Sequence, residues 1–375
     1  MTRGSVAIGP RLEKGNEALK RTILGLAAVV AASTIALSSC SAAGPGSSGG
    51  SSGGATTAAA GKRACVILPD TESSPRWESG DRPALQKALT DAGFAADIQN
   101  AQNDTEKYAT IADQQLSKGC GVMLLVDLNG AGAQVLTKAK SQGIPVIAYD
   151  RPIPGADYYV SFDNTKVGEL EGQMIVDGLK KAGKDPKTAK VVFMGGDPTD
   201  GNAKFFHDGA AKVMSAAGIK PAFEPKGTWD ADKSGTNFEQ AYTALKGNVD
   251  AVWVANDANA ASVIAILDKN GKKVPVSGQD ASIAGLQNIL LGKQTATVYK
   301  PFQLEADQAG KLAVDLLNGK KPTAPQESNG VPFFNETPIL TDASGIQKVI
   351  DDGNATAADI CKGDVKAACD KAGIK

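Results

Sequence analysis

The sequence predicts an α/β protein with two lobes, each built around a parallel sheet. From residue 63 onward, short apolar runs alternate with amphipathic stretches that have helical spacing. Continuous apolar runs of this length are typical of strands buried on both faces, and strand–helix–strand repetition indicates a parallel sheet with right-handed crossovers. The alternation breaks once, near residues 158–164, and then restarts. We therefore expect two α/β lobes rather than one.

Each predicted element has its own signal. Most predicted helices end at a glycine, such as Gly93, Gly143 or Gly218, and glycine there favours the left-handed residue that closes a helix. The predicted strands cover residues 65–68, 122–126, 145–149, 191–194, 251–254 and 274–276. The predicted helices cover residues 81–92, 106–118, 131–141, 167–182, 203–217, 235–246 and 258–270.

The first 39 residues have the pattern of an export signal. Lys20 and Arg21 precede an apolar stretch from Thr22 to Leu37, which is too short and too rich in alanine for a good spanning helix of about 20 apolar residues. Residues 37–40 (LSSC) resemble the lipobox of bacterial lipoproteins, whose cysteine, here Cys40, is acylated; an ordinary cleavable signal with a chance cysteine is the alternative. Residues 40–61 are predicted to be a Ser/Gly-rich tether on the outer face of the cytoplasmic membrane.

Charge and composition argue against several classes of protein. The chain carries 40 basic and 41 acidic residues, of which five basic and two acidic ones precede Cys40. The exported chain therefore has 35 basic and 39 acidic residues and a net charge of −4. It contains no basic run, which argues against nucleic acid as a partner. His207 is the single histidine, and the cysteine spacing matches no zinc site, so we expect no metal and no cofactor.

Four cysteines follow Cys40. Cys65 opens one predicted strand and Cys120 precedes another, so the two lie within bridging distance if those strands are neighbours. Cys361 and Cys369 are close together near the C-terminus and could pair locally. An even number of cysteines in an oxidising compartment predicts two disulfides. Free buried thiols are the alternative.

Polar side chains follow the carboxyl end of every predicted strand. In open parallel sheets, ligands bind outside the carboxyl ends of the strands, so we expect these residues of both lobes to meet at one cleft. One polar residue at a strand end would mean little, because solvent begins there, but six such ends in one chain indicate a site. The residues are Asp70, Asp127, Asp150 with Arg151, Asp197, Asn256 with Asp257, and Gln279 with Asp280.

These side chains suit a sugar. Its neighbouring hydroxyls are both donors and acceptors, and its C–H face is apolar, so carboxylates, amides, cations and flat aromatic rings together recognise it. The candidate donors are Arg76, Arg151, Lys204 and Lys300. The candidate acceptors are Asp150, Asp200, Asn202, Asn256 and Asp280, and the candidate stacking surfaces are Trp77, Trp229 and Phe206.

Eight short motifs resemble, in order, those of the D-xylose-binding members of the ribose-binding-like periplasmic family, which serve bacterial ABC importers. They are SSPRW (73–77), AYDRP (148–152), YVSFDN (159–164), FMGGD (193–197), GNAK (201–204), ANDA (255–258), SGQDA (277–281) and TVYKP (297–301). Residues 73–77 and 204–209 also resemble glucose/galactose-type multiple-sugar binders. Glucose, galactose, arabinose or several sugars are therefore the alternatives to D-xylose.

The resemblance implies a periplasmic-binding-protein type I fold, in which a three-segment hinge joins two Rossmann-like lobes. The first lobe would comprise residues 62–163 and 301–330, the second 164–300 and 331–345, and residues 346–375 would form a C-terminal tail. The implied ligand contacts are Arg76, Asp150, Arg151, Asn202, Lys204, Asn256, Asp280 and Lys300, with Trp229 as a stacking wall and Asp200 as a further member.

The resemblance also implies a function without catalysis. A monomeric, lipid-anchored binding protein would close on a monosaccharide and deliver it to an ABC permease, and presentation of the sugar to a chemoreceptor is a compatible variant. A sugar-responsive transcription regulator would need an N-terminal DNA-binding segment, where this chain has an export signal. An extracytoplasmic sugar hydrolase would need a rigid acid pair such as Asp150 and Asp280, which two moving lobes hold poorly.

Overall fold

The computed structural model describes residues 62–375, so the export signal, Cys40 and the tether lie outside the described residues. The strands are β1 (Arg63–Leu68), β2 (Ala95–Asn100), β3 (Val122–Leu125), β4 (Val146–Tyr149), β5 (Tyr158–Phe162), β6 (Val191–Met194), β7 (Pro221–Phe223), β8 (Ala251–Val254), β9 (Thr297–Tyr299), β10 (Gln326–Ser328), β11 (Val331–Glu336) and β12 (Ile339–Thr341). The helices are α1 (Arg82–Asp91), α2 (Thr105–Ser117), α3 (Ala131–Ser141), α4 (Asn164–Lys181), α5 (Gly201–Ala216), α6 (Ala231–Ala244), α7 (Asp257–Lys269), α8 (Ile283–Leu290), α9 (Phe302–Leu317), α10 (Ile346–Asp351), α11 (Ala357–Ile360) and α12 (Lys366–Ala372).

The first lobe is built on a seven-stranded sheet in the order β10-β11-β5-β4-β3-β1-β2. All neighbouring pairs are parallel except the β10–β11 hairpin. Side chains of α2 and α3, such as Tyr108 and Val135, bury one face of the sheet, and those of α1 and α9, such as Leu85 and Leu312, bury the other. Burial on both faces explains why the central strands are continuous apolar runs.

The second lobe has a smaller sheet of the same kind. Strand β6 lies between β7 and β8, parallel to both, and single bridges at Val276 and Gln279 continue the sheet towards β9, which pairs antiparallel with β12. Helices α4 and α5 cover one face through residues such as Ile175 and Met214, and α6 and α7 cover the other. The fold class predicted from the sequence is confirmed.

The chain passes between the two sheets three times. It leaves the first sheet after β5, returns between β9 and α9, and leaves again between β11 and β12. The predicted boundary after residue 330 is wrong, because β11 pairs with β5 from Phe333 to Glu336 and so belongs to the first sheet. Aromatic residues explain the pairing, since the ring of Phe333 stacks on Tyr159 with centroids 4.6 Å apart.

The observed elements differ from the predicted ones mainly at the sheet edges. Strand β2 (AADIQN) is an edge strand of the first sheet and is partly polar, so it has no apolar run to reveal it. The predicted strand 274–276 is reduced to a bridge between Val276 and Val252. Pro275 has no amide hydrogen to contribute to a ladder there.

Both predicted disulfides are formed. Cys65 and Cys120 join the beginnings of two neighbouring parallel strands, with their Cα atoms 5.8 Å apart. This bond lies at the amino ends of the strands, away from the cleft. Cys361 and Cys369 close a short loop in the C-terminal tail, also with a Cα separation of 5.8 Å. No helix within residues 62–375 is both long and apolar enough to cross a bilayer.

Candidate functional site

The carboxyl ends of strands from both sheets meet at a cavity, as the strand-end residues predicted. The first lobe contributes residues after β1 and β4, and the second lobe contributes residues after β6, β7, β8 and the Val276 bridge. Lys300 joins them from the middle crossing between the lobes. The lining residues are Ser73, Ser74, Arg76, Trp77, Asp150, Arg151, Asp200, Asn202, Phe206, Trp229, Asn256, Gln279, Asp280 and Lys300.

Arg76 stands among three carboxylates. Its Nη2 lies 2.9 Å from Asp150 Oδ2 and 2.9 Å from Glu305 Oε2, and its Nε lies 3.0 Å from Asp81 Oδ2. Burial lowers the pKa of the Arg76 guanidinium, but the three carboxylates raise it by more, so the pKa is above its ordinary value. The hydroxyl of Tyr149 donates to Asp81. Arg76 is therefore permanently charged and held rigidly.

The carboxylates behind Arg76 have unusual proton affinities. Burial raises the pKa of Asp81 to about 6, although Arg76 opposes the rise. Burial also raises the pKa of Glu305 well above its usual range, again against the opposing effect of Arg76. These two side chains are completely buried, whereas Asp150 lines the cavity itself. Arg76 thus connects a buried acidic pair with a carboxylate that a ligand can reach.

A second cation–carboxylate pair joins the two lobes. Arg151, after β4, places its Nε 3.2 Å from Oδ2 of Asp200, which caps α5 in the second lobe. The guanidinium also donates to Ser73 Oγ at 3.1 Å and to the carbonyl of Asp127 at 3.0 Å. Burial raises the pKa of Asp200, and Arg151 opposes the rise. This pair fixes the two walls of the cavity against each other.

The third pair is Lys300 with Asp280. Lys300 Nζ lies 2.8 Å from Asp280 Oδ1, and both residues are largely buried. Burial lowers the pKa of Lys300, but Asp280 and Asp150 raise it by more, so the net pKa is above normal and the amine is charged. The amine also lies 5.6 Å from the centroid of the Phe206 ring.

The backbone is strained where two of these carboxylates are presented. Asp150 has φ = 60°, and the consecutive residues Asp280 and Ala281 have φ = 95° and 51°. Non-glycine residues rarely adopt such angles, each costing on the order of 1–3 kcal/mol, and they persist only where the surroundings hold them. Asp280 N donates to the Val298 carbonyl at 2.9 Å, and Ala281 N donates to Thr297 Oγ1 at 3.2 Å. Strand β9 therefore holds the strained turn that carries Asp280.

Three aromatic side chains complete the cavity. Trp77 lies under the Arg76 guanidinium, 4.5 Å from carbon to ring centroid, and its indole N–H donates to Ser73 Oγ. Trp229 donates from its indole to Asp200 Oδ2 at 3.0 Å and meets Phe206 edge-on at 6.3 Å. A Cβ atom on Gly196 would lie 2.2 Å from the Trp229 ring. Glycine after β6 is thus what allows Trp229 to lie against the end of that strand.

The two asparagines of the predicted site have different surroundings. Asn202 Nδ2 donates to the Asp150 carbonyl at 2.9 Å, and its Oδ1 accepts from Tyr159 and Asn164. Asn202 therefore ties α5 to the first lobe. Asn256 lies at the opposite wall, where its Oδ1 caps α7 and its remaining polar atoms are available to a ligand.

Lys204 is the predicted ligand residue that the structure does not bring to the cavity. Four of the strand-end residues do not line it either, namely Asp70, Asp127, Asp197 and Asp257. The side chain of Lys204 is 76% exposed and pairs with Asp208 on the surface of α5. Asn202 and Phe206, four residues apart, share the face of α5 that meets the cavity, whereas Lys204 falls on the opposite face of the helix. The other eleven candidate donors, acceptors and stacking residues all line the cavity.

Four residues at or behind the cavity were not among the candidates: Ser73 and Ser74 line it, and Asp81 and Glu305 lie behind Arg76. A signal for Glu305 does exist, because it shares one buried helical face with Ala309 and Leu312, where an acidic residue needs a buried partner.

His207, the single histidine, does not line the cavity and lies on the surface of α5, with its Nε2 3.0 Å from Glu224. Among residues 62–375, no group of three or more His, Cys, Asp or Glu side chains is arranged to hold a metal ion.

Two α/β lobes, three crossings between them and a charged, aromatic-lined cavity at the facing strand ends define a two-lobed solute receptor. The chain belongs to the periplasmic binding proteins, since residues 65–321 match the model of the family described as "Periplasmic binding protein domain". The D-xylose-binding periplasmic protein of Haemophilus influenzae is 37% identical to it over 300 residues, which are 76% of this chain and 88% of that protein. The protein is a binding protein rather than an enzyme.

Other similar proteins bind different sugars. The multiple sugar-binding periplasmic receptor ChvE of Rhizobium radiobacter is 33% identical over 331 residues, covering 79% of this chain and 91% of the receptor. Among solved structures, an ABC transporter solute-binding protein of Clostridium phytofermentans with bound β-D-glucose is similar, with a TM-score of 0.71 and 28% identity. That match covers 80% of this chain and the whole of the other.

Proposed function

We propose that this chain is the lipid-anchored binding protein of a sugar ABC importer, which captures one monosaccharide between its lobes and delivers it to the permease. D-Xylose is the proposed ligand. The protein acts as a monomer outside the cytoplasmic membrane, to which the acylated Cys40 holds it. The tether of residues 40–61 leaves the lobes free to move and to dock on the permease.

The observation that carries the proposal is the presence of three cation–carboxylate pairs and three aromatic rings in one cavity. A sugar hydroxyl can donate to the carboxylate of a pair while it accepts from the cation, and charge-assisted bonds of this kind are the stronger ones. Trp77, Trp229 and Phe206 offer apolar surface to the C–H faces of a pyranose. A neutral polyol therefore suits both the charged pairs and the aromatic rings of the cavity.

The choice of sugar rests on the relatives. The motifs of the sequence and two D-xylose-binding proteins at 36–37% identity favour D-xylose. Glucose is the second candidate, because two solved relatives at 26% and 28% identity hold glucose. Galactose, arabinose and a multiple-sugar specificity remain alternatives to be tested beside it.

Closure of the two lobes provides the mechanism. The cavity takes residues from both lobes, so a sugar contacts both only in the closed form and shifts the population towards it. Outside the cavity, Thr199 Oγ1 of the second lobe donates to Asn129 Oδ1 of the first at 2.7 Å, and Arg151–Asp200 bridges the lobes within it. The closed form is the one that we propose docks on the permease.

Calorimetric titration of the purified protein tests the sugar proposal. With D-xylose, D-glucose, D-galactose, L-arabinose and D-ribose as ligands, we expect stoichiometric binding that is tightest for D-xylose, at or below micromolar dissociation constants. Recovery of the unchanged sugar is expected, because no reaction takes place. If none of the five sugars binds with a dissociation constant below about 100 µM, the proposed function is contradicted.

Mass spectrometry of the exported protein tests the anchor. We expect the mature N-terminus to be Cys40 carrying a diacylglyceryl group. A Cys40→Ser variant should be released into the medium or remain uncleaved. An exported wild-type protein with an unmodified Cys40, or one cleaved elsewhere, would show that the segment is only a signal peptide.

A further inference from the structure

The C-terminal tail packs directly behind the cavity. Residues 346–375 include helices α10 to α12, and the family match ends at residue 321, well before them. The tail buries Ile346, Val349 and Ile360 against Leu286 and Ile289 of α8. Two further members of this apolar cluster are Ala281 and Tyr299. These are the chain neighbours of Asp280 and Lys300, so the tail shares an apolar cluster with the residues next to the third cation–carboxylate pair.

The hydroxyl of Tyr299 is bonded to the tail. It donates to Asp352 Oδ2 at 3.1 Å and accepts from the side-chain amide of Asn354. Tyr299 is 1% exposed and ends β9, one residue before Lys300. The tail also receives a bond from α8, because Gln287 Nε2 donates to the Ile360 carbonyl at 2.9 Å. The tail is therefore attached to both segments that lead into the cavity.

The turn at Asp280 needs such support. Asp280 and Ala281 are consecutive non-glycine residues with positive φ, and this conformation persists only where the surroundings hold it. Strand β9 holds the turn through Val298 and Thr297 on one side. On the other side, Ala281 is 6% exposed because it lies in the apolar cluster shared with the tail.

We propose that the C-terminal tail positions the Asp280–Lys300 pair for the ligand, acting on Lys300 through Tyr299 and on Asp280 through Ala281. The Cys361–Cys369 disulfide keeps the tail in this position, since it joins the end of α11 to α12 and Cys369 is buried in the shared cluster. Tyr299 and the tail are positioning elements, and they do not touch the sugar. This inference rests on the proposed function for its effect on sugar affinity.

The test compares two tail variants with a matched disulfide control. The variants are Tyr299→Phe, which removes the hydroxyl, and Cys361→Ala/Cys369→Ala, which releases the tail. The control is Cys65→Ala/Cys120→Ala, whose disulfide closes a longer loop at the far end of the first sheet. We expect the affinity for D-xylose or D-glucose to fall about threefold for the tyrosine variant, about tenfold for the tail variant and less than about twofold for the control. The control should nevertheless lose more thermal stability, because its loop is longer.

A double-mutant cycle separates positioning from general destabilisation. In an Asp280→Asn background, removing the Cys361–Cys369 disulfide should cost less than about twofold further affinity, because the tail acts through the pair that is already impaired. The inference would be overturned by any of three results: the same loss of sugar affinity in the Asp280→Asn and parent backgrounds, the same loss in the Cys65→Ala/Cys120→Ala control, or no loss in the tail variant. Affinities in the weaker background are measured by titration at millimolar sugar.

Amide hydrogen exchange without sugar provides a readout independent of binding. The tail variant should exchange faster than the parent at residues 278–282 and 297–300, and the control should not. If the parent binds none of the sugars, the proposed function fails, and exchange alone then decides whether the tail positions these segments. Unchanged exchange there in the tail variant would contradict the positioning role whatever the sugar result.

Discussion

Replacing Asp280 with asparagine is expected to weaken sugar binding about a hundredfold, because a hydrogen bond to a charged group contributes about 1.5–3 kcal/mol and the buried Lys300 loses its counter-charge. Asparagine retains the size of the side chain and tolerates the left-handed backbone of this position, where φ is 95°. The fold should therefore survive. The measurement is a calorimetric titration with D-xylose and D-glucose, with thermal unfolding as the check on the fold.

Asp127→Asn is the matched control for this variant. Like Asp280, Asp127 follows the end of a strand, here β3 of the first sheet, but its carboxylate accepts from the amides of Gly130 and Gly132 and does not line the cavity. Asparagine keeps the size of the side chain but has one acceptor oxygen instead of two, so the variant loses one of these two hydrogen bonds. Because the lost bond lies outside the cavity, we expect a small loss of stability and a sugar affinity within about twofold of the parent. Comparable losses in the two variants, or an unchanged affinity in Asp280→Asn, would show that the ligand does not use this part of the cavity.

Replacing Arg76 with methionine is expected to destabilise the protein by about 3–5 kcal/mol near pH 8, because it leaves buried carboxylates without their cation. Asp81 and Glu305 are fully buried, and Asp150 nearly so. Methionine keeps the apolar stem, so lost packing contributes little. Binding should be lost as well, since Arg76 lines the cavity. Denaturant unfolding followed by circular dichroism measures the change in the free energy of unfolding.

The destabilisation should depend on pH, and its sign can be worked out. A carboxyl whose folded-state pKa is raised takes up a proton on folding, so its favourable effect is complete below the unfolded pKa of about 4 and is lost as the pH rises through the folded pKa. With Arg76 present, the pKa of Asp81 is raised to about 6. Without Arg76 it should rise further, so the Arg76→Met deficit should be much smaller at pH 5 than at pH 8.

Arg82→Met is the control for the loss of a positive charge in the same region. Arg82 pairs with Glu78 at 3.0 Å in a partly exposed position, and such pairs contribute about 0–1 kcal/mol. The free energy of unfolding of the Arg82→Met protein should change little, and the change should not show the pH dependence expected for Arg76→Met. An Arg76→Met protein as stable as the Arg82→Met protein at pH 8 would show that the buried carboxylates do not depend on Arg76.

The architecture was predictable from the sequence because its signals are local. An apolar run such as residues 122–126 and a closing glycine such as Gly143 report burial and chain reversal within a few residues. Prediction failed where an element lacks such a signal. Strand β2 is a partly polar edge strand. Strand β11 pairs with β5 of the first sheet through a tertiary contact, the stacking of Phe333 on Tyr159, which no local pattern indicates.

The site was predictable as a set of residues but not as a set of pairs. The strand ends placed Asp150, Arg151, Asn256 and Asp280 at the cavity, as one expects of parallel sheets. Lys204 was misplaced because its neighbours in the motif face the cavity while the phase of α5 turns Lys204 to the surface. Residues that are adjacent in a sequence motif point to different faces when the motif lies in a helix.

The sequence by itself indicated the export pattern, the two α/β lobes and the chemistry of the cleft, since composition, periodicity and spacing carry these signals. The tertiary structure decided that Cys65 and Cys120 lie on neighbouring strands and are bonded. Only the tertiary structure decided which charge meets which. Arg76 meets Asp150 and Glu305, which lie 74 and 229 residues further along the chain, and the C-terminal tail meets Tyr299 behind Lys300. A buried charge requires a counter-charge within a few ångströms. Which residue supplies it depends on where the chain crosses between the lobes and on which face of its helix the residue lies, and no local sequence pattern contains that information.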